Sequence, residues 1–117
     1  MKPVRVILSE DASEVYKYLN SRASDSKVER SILKSVKSKL ELIKVNTHYG
    51  EPIPKQLIPN EYKVKYGITN LFHVELSNFW RMLYTLTNDE EEVEIIAFVL
   101  DITDHETYNK KFGYKRH

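Results

Sequence analysis

Hydrophobic and polar positions change their period several times along the chain, and each change marks an element. Val4–Leu8 (VRVIL) alternates and is β-branched, which predicts a short first strand. Ser9-Glu10-Asp11 then supplies an N-cap and an acidic first turn. Ala12, Val15, Tyr16 and Leu19 fall on one side of a helix from about Asp11 to Arg22. Ser26-Lys27-Val28-Glu29 has the spacing of a capping box and opens a second helix. Its apolar stripe is Val28, Ile32, Leu33, Val36, Leu40 and Ile43. Lys27, Arg30, Lys34, Lys37 and Lys44 lie roughly opposite, interrupted by Glu41. The helices form a hairpin with one basic outer face, and Gly50 closes this part.

Residues 51–69 hold three of the four prolines, which are poorly tolerated in helix interiors and central strands. The segment reads as an ordered connection with at most short helical turns, packed on the core through Ile53, Leu57, Ile58, Tyr62 and Tyr66. Strand patterns then return. In Asn70–Ser77, Phe72, Val74 and Leu76 face one way, while Leu71, His73, Glu75 and Ser77 face the other. A short turn near Asn78 leads into Trp80–Thr87, where Trp80, Met82, Tyr84 and Leu86 share one face and Arg81, Leu83 and Thr85 the other. Asn88–Glu92 is an acidic turn. Val93–Ile102 is apolar on both faces, as in a covered central strand. Asp104 starts a short final helix ending near Gly113. The order β-α-α-β-β-β-α predicts an α+β fold: a two-helix N-terminal hairpin on a small, mostly antiparallel sheet, with a short C-terminal helix.

At 117 residues the chain, residues 1–117, is expected to be a single domain able to bury one core without metal or disulfide support. It has no cysteine, which excludes disulfides and thiolate metal sites. No apolar run reaches membrane-spanning length and the first residues lack a signal-peptide pattern, so the expected compartment is the cytoplasm. The net charge of +1 says little by itself. Its distribution says more: residues 27–44 and the tail with Lys110, Lys111 and Lys115 are basic, and Asp89–Glu92 is acidic. The basic zones are either solvated faces or contacts for an anionic polymer. Arg81 poses the sharper question. A guanidinium keeps its charge, so within an apolar strand it needs a partner. That partner is either Glu75 or an external anion.

Leu71-Phe-His-Val-Glu-Leu76, Trp80-Arg-Met-Leu-Tyr84, the apolar Ile95–Leu100 and Asp104-His-Glu-Thr-Tyr108 together resemble the RelE/ParE toxin superfamily. Its best-known members cleave messenger RNA on the ribosome. The stretch GEPIPKQLIP…YGITNL resembles a subgroup with a Pro-containing connection. The resemblance implies a RelE-like toxin of a type II toxin–antitoxin system, with a cognate antitoxin, mRNA and the ribosome as partners. The implied activity is a metal-independent, cofactor-free endoribonuclease. Arg81 then matches the arginine that contacts the scissile phosphate, and Tyr108 the C-terminal tyrosine near the reacting nucleotide. His105 lies close to a position where relatives carry Arg or His. His73 and Glu75 stand where RelE-type members place two lysines, a departure that speaks against a lysine-dependent mechanism and admits an acid–base pair of His and Glu, as in several relatives. The alternative within the same fold is a protein acting by binding: a gyrase poison, or an antitoxin- or RNA-binding module.

The chemistry such a site performs is attack by the ribose 2′-oxygen on the neighbouring phosphorus. It needs a base for that hydroxyl, an acid for the departing 5′-oxygen and positive charge on the phosphorane. Histidine suits either proton role because it titrates near neutrality, and arginine suits the phosphate because its planar fork bonds two oxygens. Lys34 and Lys37, with Lys110, Lys111 and Lys115, are candidates for following the RNA backbone. Each assignment has a plainer competitor: a half-exposed strand residue for His73, a helix cap for His105, a core aromatic for Tyr108. Asp101, Asp104 and His105 are too close in sequence to argue for a metal rather than capping.

Overall fold

The computed structural model describes residues 4–88 and 95–103. Strand β1 (Val4–Leu8) leads through Ser9 into α1 (Glu10–Arg22), and α2 (Lys27–Val45) follows after a tight turn. Ser9 caps α1 as its sequence predicts, its hydroxyl accepting from the Ala12 N–H at 3.0 Å. The box at Ser26 is only half formed. Its hydroxyl accepts from the Glu29 N–H at 3.4 Å and donates to the Glu29 carboxylate, but the Ser26 N–H goes to the Arg22 carbonyl at 2.9 Å. The helices are joined so closely that the end of α1 has claimed the donor that Glu29 would otherwise take. The Ser26 hydroxyl holds the Glu29 carboxyl below its ordinary value.

The connection contains more structure than its prolines suggest. A two-residue strand β2 (Glu51–Pro52) and a turn of 3-10 helix at Lys55–Leu57 precede α3 (Asn60–Tyr66). Pro59 sets the entry to α3 and Gly67, at φ 62° and ψ 31°, ends it by donating its N–H to the Lys63 carbonyl at 2.9 Å. Then come β3 (Phe72–Glu75), β4 (Arg81–Asn88) and β5 (Ile95–Thr103). The five strands lie in the order β1-β5-β4-β3-β2. Among the described strands only the β1–β5 pairing is parallel. Between Leu83 and Tyr84 the β4–β5 register jumps from Asp101 to Val99, a bulge that gives β5 an extra residue. The α+β reading with a helical hairpin on a mostly antiparallel sheet therefore holds. The acidic turn Asp89–Glu92 and the final helix lie outside the described residues.

The two strand faces divide the core as their alternation predicts. Phe72, Val74, Leu76, Met82, Tyr84 and Ile102 pack with Ala12, Leu19, Ile32, Leu33, Val36 and Ile43 beneath the helical hairpin. On the opposite face Leu71 and Leu83 pack with Ile58 and Tyr62. Two expected core residues are exposed. Val28, in the first turn of α2, is 51% exposed, and burial begins one turn later at Ile32. Leu57 is 54% exposed in its 3-10 turn, where the neighbouring Ile58 takes the inward place.

Gly50 does more than end the hairpin. A Cβ there would stand 2.9 Å from the His73 carbonyl oxygen and 2.9 Å from the Tyr84 ring, so only glycine lets the chain pass this close to β3. Its N–H donates to the Tyr84 hydroxyl at 3.0 Å, which in turn donates to the Thr47 carbonyl at 2.7 Å. The Tyr84 ring is fully buried and stacks on Phe72 at 5.1 Å. Burial raises its pKa above the ordinary tyrosine value, against a smaller opposing effect of the Gly50 hydrogen bond. This lock fixes the approach of β2 to β3.

Candidate active site

Strand register brings four polar residues onto the sheet face opposite the helical hairpin. Glu51 pairs with His73 across β2–β3, and Glu75 with Arg81 across β3–β4. Directly opposed residues share a face, and His73 and Glu75 are two apart on β3, so Glu51, His73, Glu75 and Arg81 form one row. Leu83, the register partner of His73, is the apolar floor beside them and is fully buried.

Arg81 has the partner that elementary electrostatics demands. Its Nη2 lies 3.6 Å from Glu75 Oε1, and its Nη1 donates to the Trp80 carbonyl at 3.2 Å. The two side chains differ in exposure: Arg81 is 15% exposed and Glu75 73%. At 3.6 Å the contact is an ion pair rather than a well-formed hydrogen bond. A pair with so solvated a carboxylate contributes about 0–1 kcal/mol, which an incoming phosphate can replace.

His73 is 20% exposed and directs Nε2 toward Glu51 Oε2 at 3.3 Å, while Nδ1 is buried. Any proton exchange with a bound molecule therefore runs through Nε2, and the exposed Glu51 carboxylate governs access to it. Sequence reasoning missed Glu51, because its pairing with His73 depends on a two-residue strand that period-2 patterning cannot reveal.

A hollow of about 340 Å³ opens beside this row, lined by Lys39, Tyr49, Gly50, Glu51, His73, Val74 and Glu75. Lys39, from α2, donates to the Tyr49 hydroxyl at 3.1 Å and brings a cation into the hollow that His73 and Glu75 also line. Neither residue was foreseen, since Lys39 departs from the run of basic positions on the outer face of α2. A larger concavity, about 760 Å³, lies elsewhere, between β1 and the helices. It is lined by Val4, Val6, Leu8, Tyr16 and Leu40 together with the charged Arg5, Lys37, Glu41 and Lys44. It shares no residue with the row, and its apolar walls suit a partner rather than a reaction.

Of the residues predicted from sequence, the fold brings Arg81, His73 and Glu75 together. Lys34 and Lys37 are exposed on α2. His105, Tyr108, Lys110, Lys111 and Lys115 lie outside the described residues. Thr103, which directly precedes that segment, is the register partner of Arg81. Among the described residues no three His, Asp or Glu side chains are grouped to hold a metal ion. Nor is any described helix long and apolar enough to cross a membrane.

The chain matches no family model and no curated protein. Among solved structures it is similar to a YoeB/ParE toxin from Agrobacterium tumefaciens, at 12% identity and a TM-score of 0.57, over 86% of this chain and 98% of that one. At that identity the likeness is one of fold: the chain has the RelE/ParE toxin fold that its strand motifs led us to expect.

Proposed function

We propose that the chain is the toxin of a type II toxin–antitoxin system and an endoribonuclease that cuts messenger RNA, on the ribosome, without a metal. The observation that carries this reading is Arg81: a guanidinium set on a strand, mostly covered, in the same polar row as His73 and with the exposed Glu75 carboxylate at 3.6 Å. In the reaction the 2′-oxygen bonds to phosphorus and the bond to the 5′-oxygen breaks. One proton leaves the 2′-hydroxyl and one arrives on the 5′-oxygen, giving a 2′,3′-cyclic phosphate and a 5′-hydroxyl. Arg81 holds the negative charge that builds on the phosphorane. His73, through Nε2, exchanges one of the protons, and Glu75 and Glu51 orient Arg81 and His73. His105 and Tyr108 belong to the same site in this reading, joined to the strand position beside Arg81. Lys34, Lys37, Lys110, Lys111 and Lys115 attract the RNA backbone.

The antitoxin is the second partner. The apolar groove under β1 is lined also by Arg5, Lys37, Lys44 and Glu41, the last paired with Lys44 at 3.6 Å, and this net positive lining suits an amphipathic acidic segment. Purified protein added to ribosomes programmed with message, beside an Arg81→Ala control, tests the catalytic part. Cleavage by the native chain alone supports it, and equal cleavage by both removes Arg81 from the mechanism.

A second reading has one observation in its favour: the two central residues both face carboxylates, His73 facing Glu51 and Arg81 facing Glu75. A RelE-fold module that acts by binding, as a gyrase poison or an antitoxin- or RNA-binding protein, accommodates such internal pairing. Growth arrest on expression with intact messages and damaged DNA would favour the gyrase-poison form.

A further inference from the structure

The polar row is short of positive charge for an RNA site. It holds two carboxylates, Glu51 and Glu75, and one side chain whose charge is permanent, Arg81. An anionic strand laid along the row meets repulsion from both glutamates unless a further cation stands close. The hollow beside the row supplies one: Lys39 reaches it from α2 and shares its lining with Glu51, His73 and Glu75. Glu75 also stands 3.6 Å from Arg81, so the hollow and the row are continuous through that residue.

Lys39 is held in the way a preorganised anion contact requires. Its Nζ donates to the Tyr49 hydroxyl at 3.1 Å and lies 5.4 Å from the centroid of the same ring. Tyr49 is itself fixed, since its N–H donates to the Asn46 carbonyl at 2.9 Å and the next residue, Gly50, is locked to Tyr84. A half-buried ammonium kept in place by a hydroxyl and a ring loses little freedom when an anion arrives. Lys17, Lys44 and Lys65 each pair with a carboxylate. Among the described residues none lies within ion-pair distance of Lys39.

We propose that Lys39 binds a second phosphate of the RNA strand, neighbouring the one that Arg81 takes. The proposal rests on the RNA reading given above and adds to it a path for the strand, from Arg81 past Glu75 into the hollow.

The test uses the full chain and a fluorescent 2′-O-methyl trinucleotide, which cannot be cut and has one linkage on either side of its central nucleoside. Two further ligands each have one of these linkages replaced by an uncharged methylphosphonate. Lys39→Gln is expected to weaken the unmodified ligand about two- to fivefold. It should leave unchanged the affinity of the ligand whose linkage at Lys39 is neutral, and Arg81→Gln should show the same insensitivity at the other linkage. Lys39→Arg, which keeps the charge, is expected to retain most of the affinity. Equal loss in Lys39→Gln against every ligand overturns the proposal, because Lys39 would then be serving the fold. Native affinity in Lys39→Gln also overturns it, as does a single linkage to which both variants become insensitive. In each of these cases a weakened Arg81→Gln leaves the RNA reading standing. Native affinity in both variants, or no binding by the native chain, overturns both.

Discussion

Replacing the Glu75 carboxylate by its amide separates the two meanings of the Arg81 ion pair. If phosphate and carboxylate compete for one guanidinium, Glu75→Gln raises RNA affinity, by up to about fivefold for a pair worth at most about 1 kcal/mol. An affinity that instead falls would make Glu75 part of the binding surface. Tyr84 lies behind the site and answers to pH. Its folded pKa is raised above the unfolded value of 10.0, so the folded state keeps the phenolic proton longer. That stabilisation is fully present below the unfolded value and is lost as pH rises through the folded one. Tyr84→Phe is expected to cost about 1–3 kcal/mol in urea unfolding, since the Gly50 N–H and Thr47 carbonyl lose a buried partner. The variant should also lose less stability above about pH 10. Sequence alone placed Arg81, His73 and Glu75 on one face, because strand alternation fixes faces. It could not show that Glu51 meets His73, since that contact follows from the passage of Gly50 against the His73 carbonyl and not from any period.

Each element is bounded by local chemistry that its residues announce. Ser9 caps α1, and Ser9→Ala is expected to cost about 1 kcal/mol, read as a shift in the urea midpoint. Pro59 and Gly67 bracket α3 in the order helices prefer, a signal hidden by the density of prolines around it. Gly50→Ala tests whether β2 is held where the site needs it. A Cβ 2.9 Å from a backbone carbonyl and from a packed ring forces a shift that typically costs about 1–3 kcal/mol. The same shift moves Glu51 off His73, so RNA cleavage by this variant should fall more than its stability at the assay temperature explains. Cleavage that follows only the folded fraction would show that the Glu51–His73 contact is incidental.

At the scale of the whole molecule the sheet separates two surfaces. The groove lies beside β1 at one end of the strand order, and the polar row crosses β2, β3 and β4 at the other. If the proposed antitoxin segment seats in the groove, whose lining carries Arg5, Lys37 and Lys44 against one Glu41, Lys37→Glu with Lys44→Glu is expected to slow association with the cognate antitoxin. The effect should be largest at low salt. Association rates unchanged across salt would place the antitoxin elsewhere. The fold was legible because alternation, caps and prolines agree on it, whereas the two concavities were not, since Lys39 and Tyr49 are brought beside β3 only by the tertiary path through Gly50.

If the Arg81 site breaks RNA by attack of the 2′-oxygen, the chemical ends of the fragments record it. Message cut on programmed ribosomes should carry a 5′-hydroxyl on the downstream fragment, with a cyclic phosphate or its hydrolysis product upstream. Arg81→Gln should yield the same ends at a rate lower by about 10²–10³. Fragments bearing a 5′-phosphate, or equal yields from the native chain and Arg81→Gln, would contradict the account.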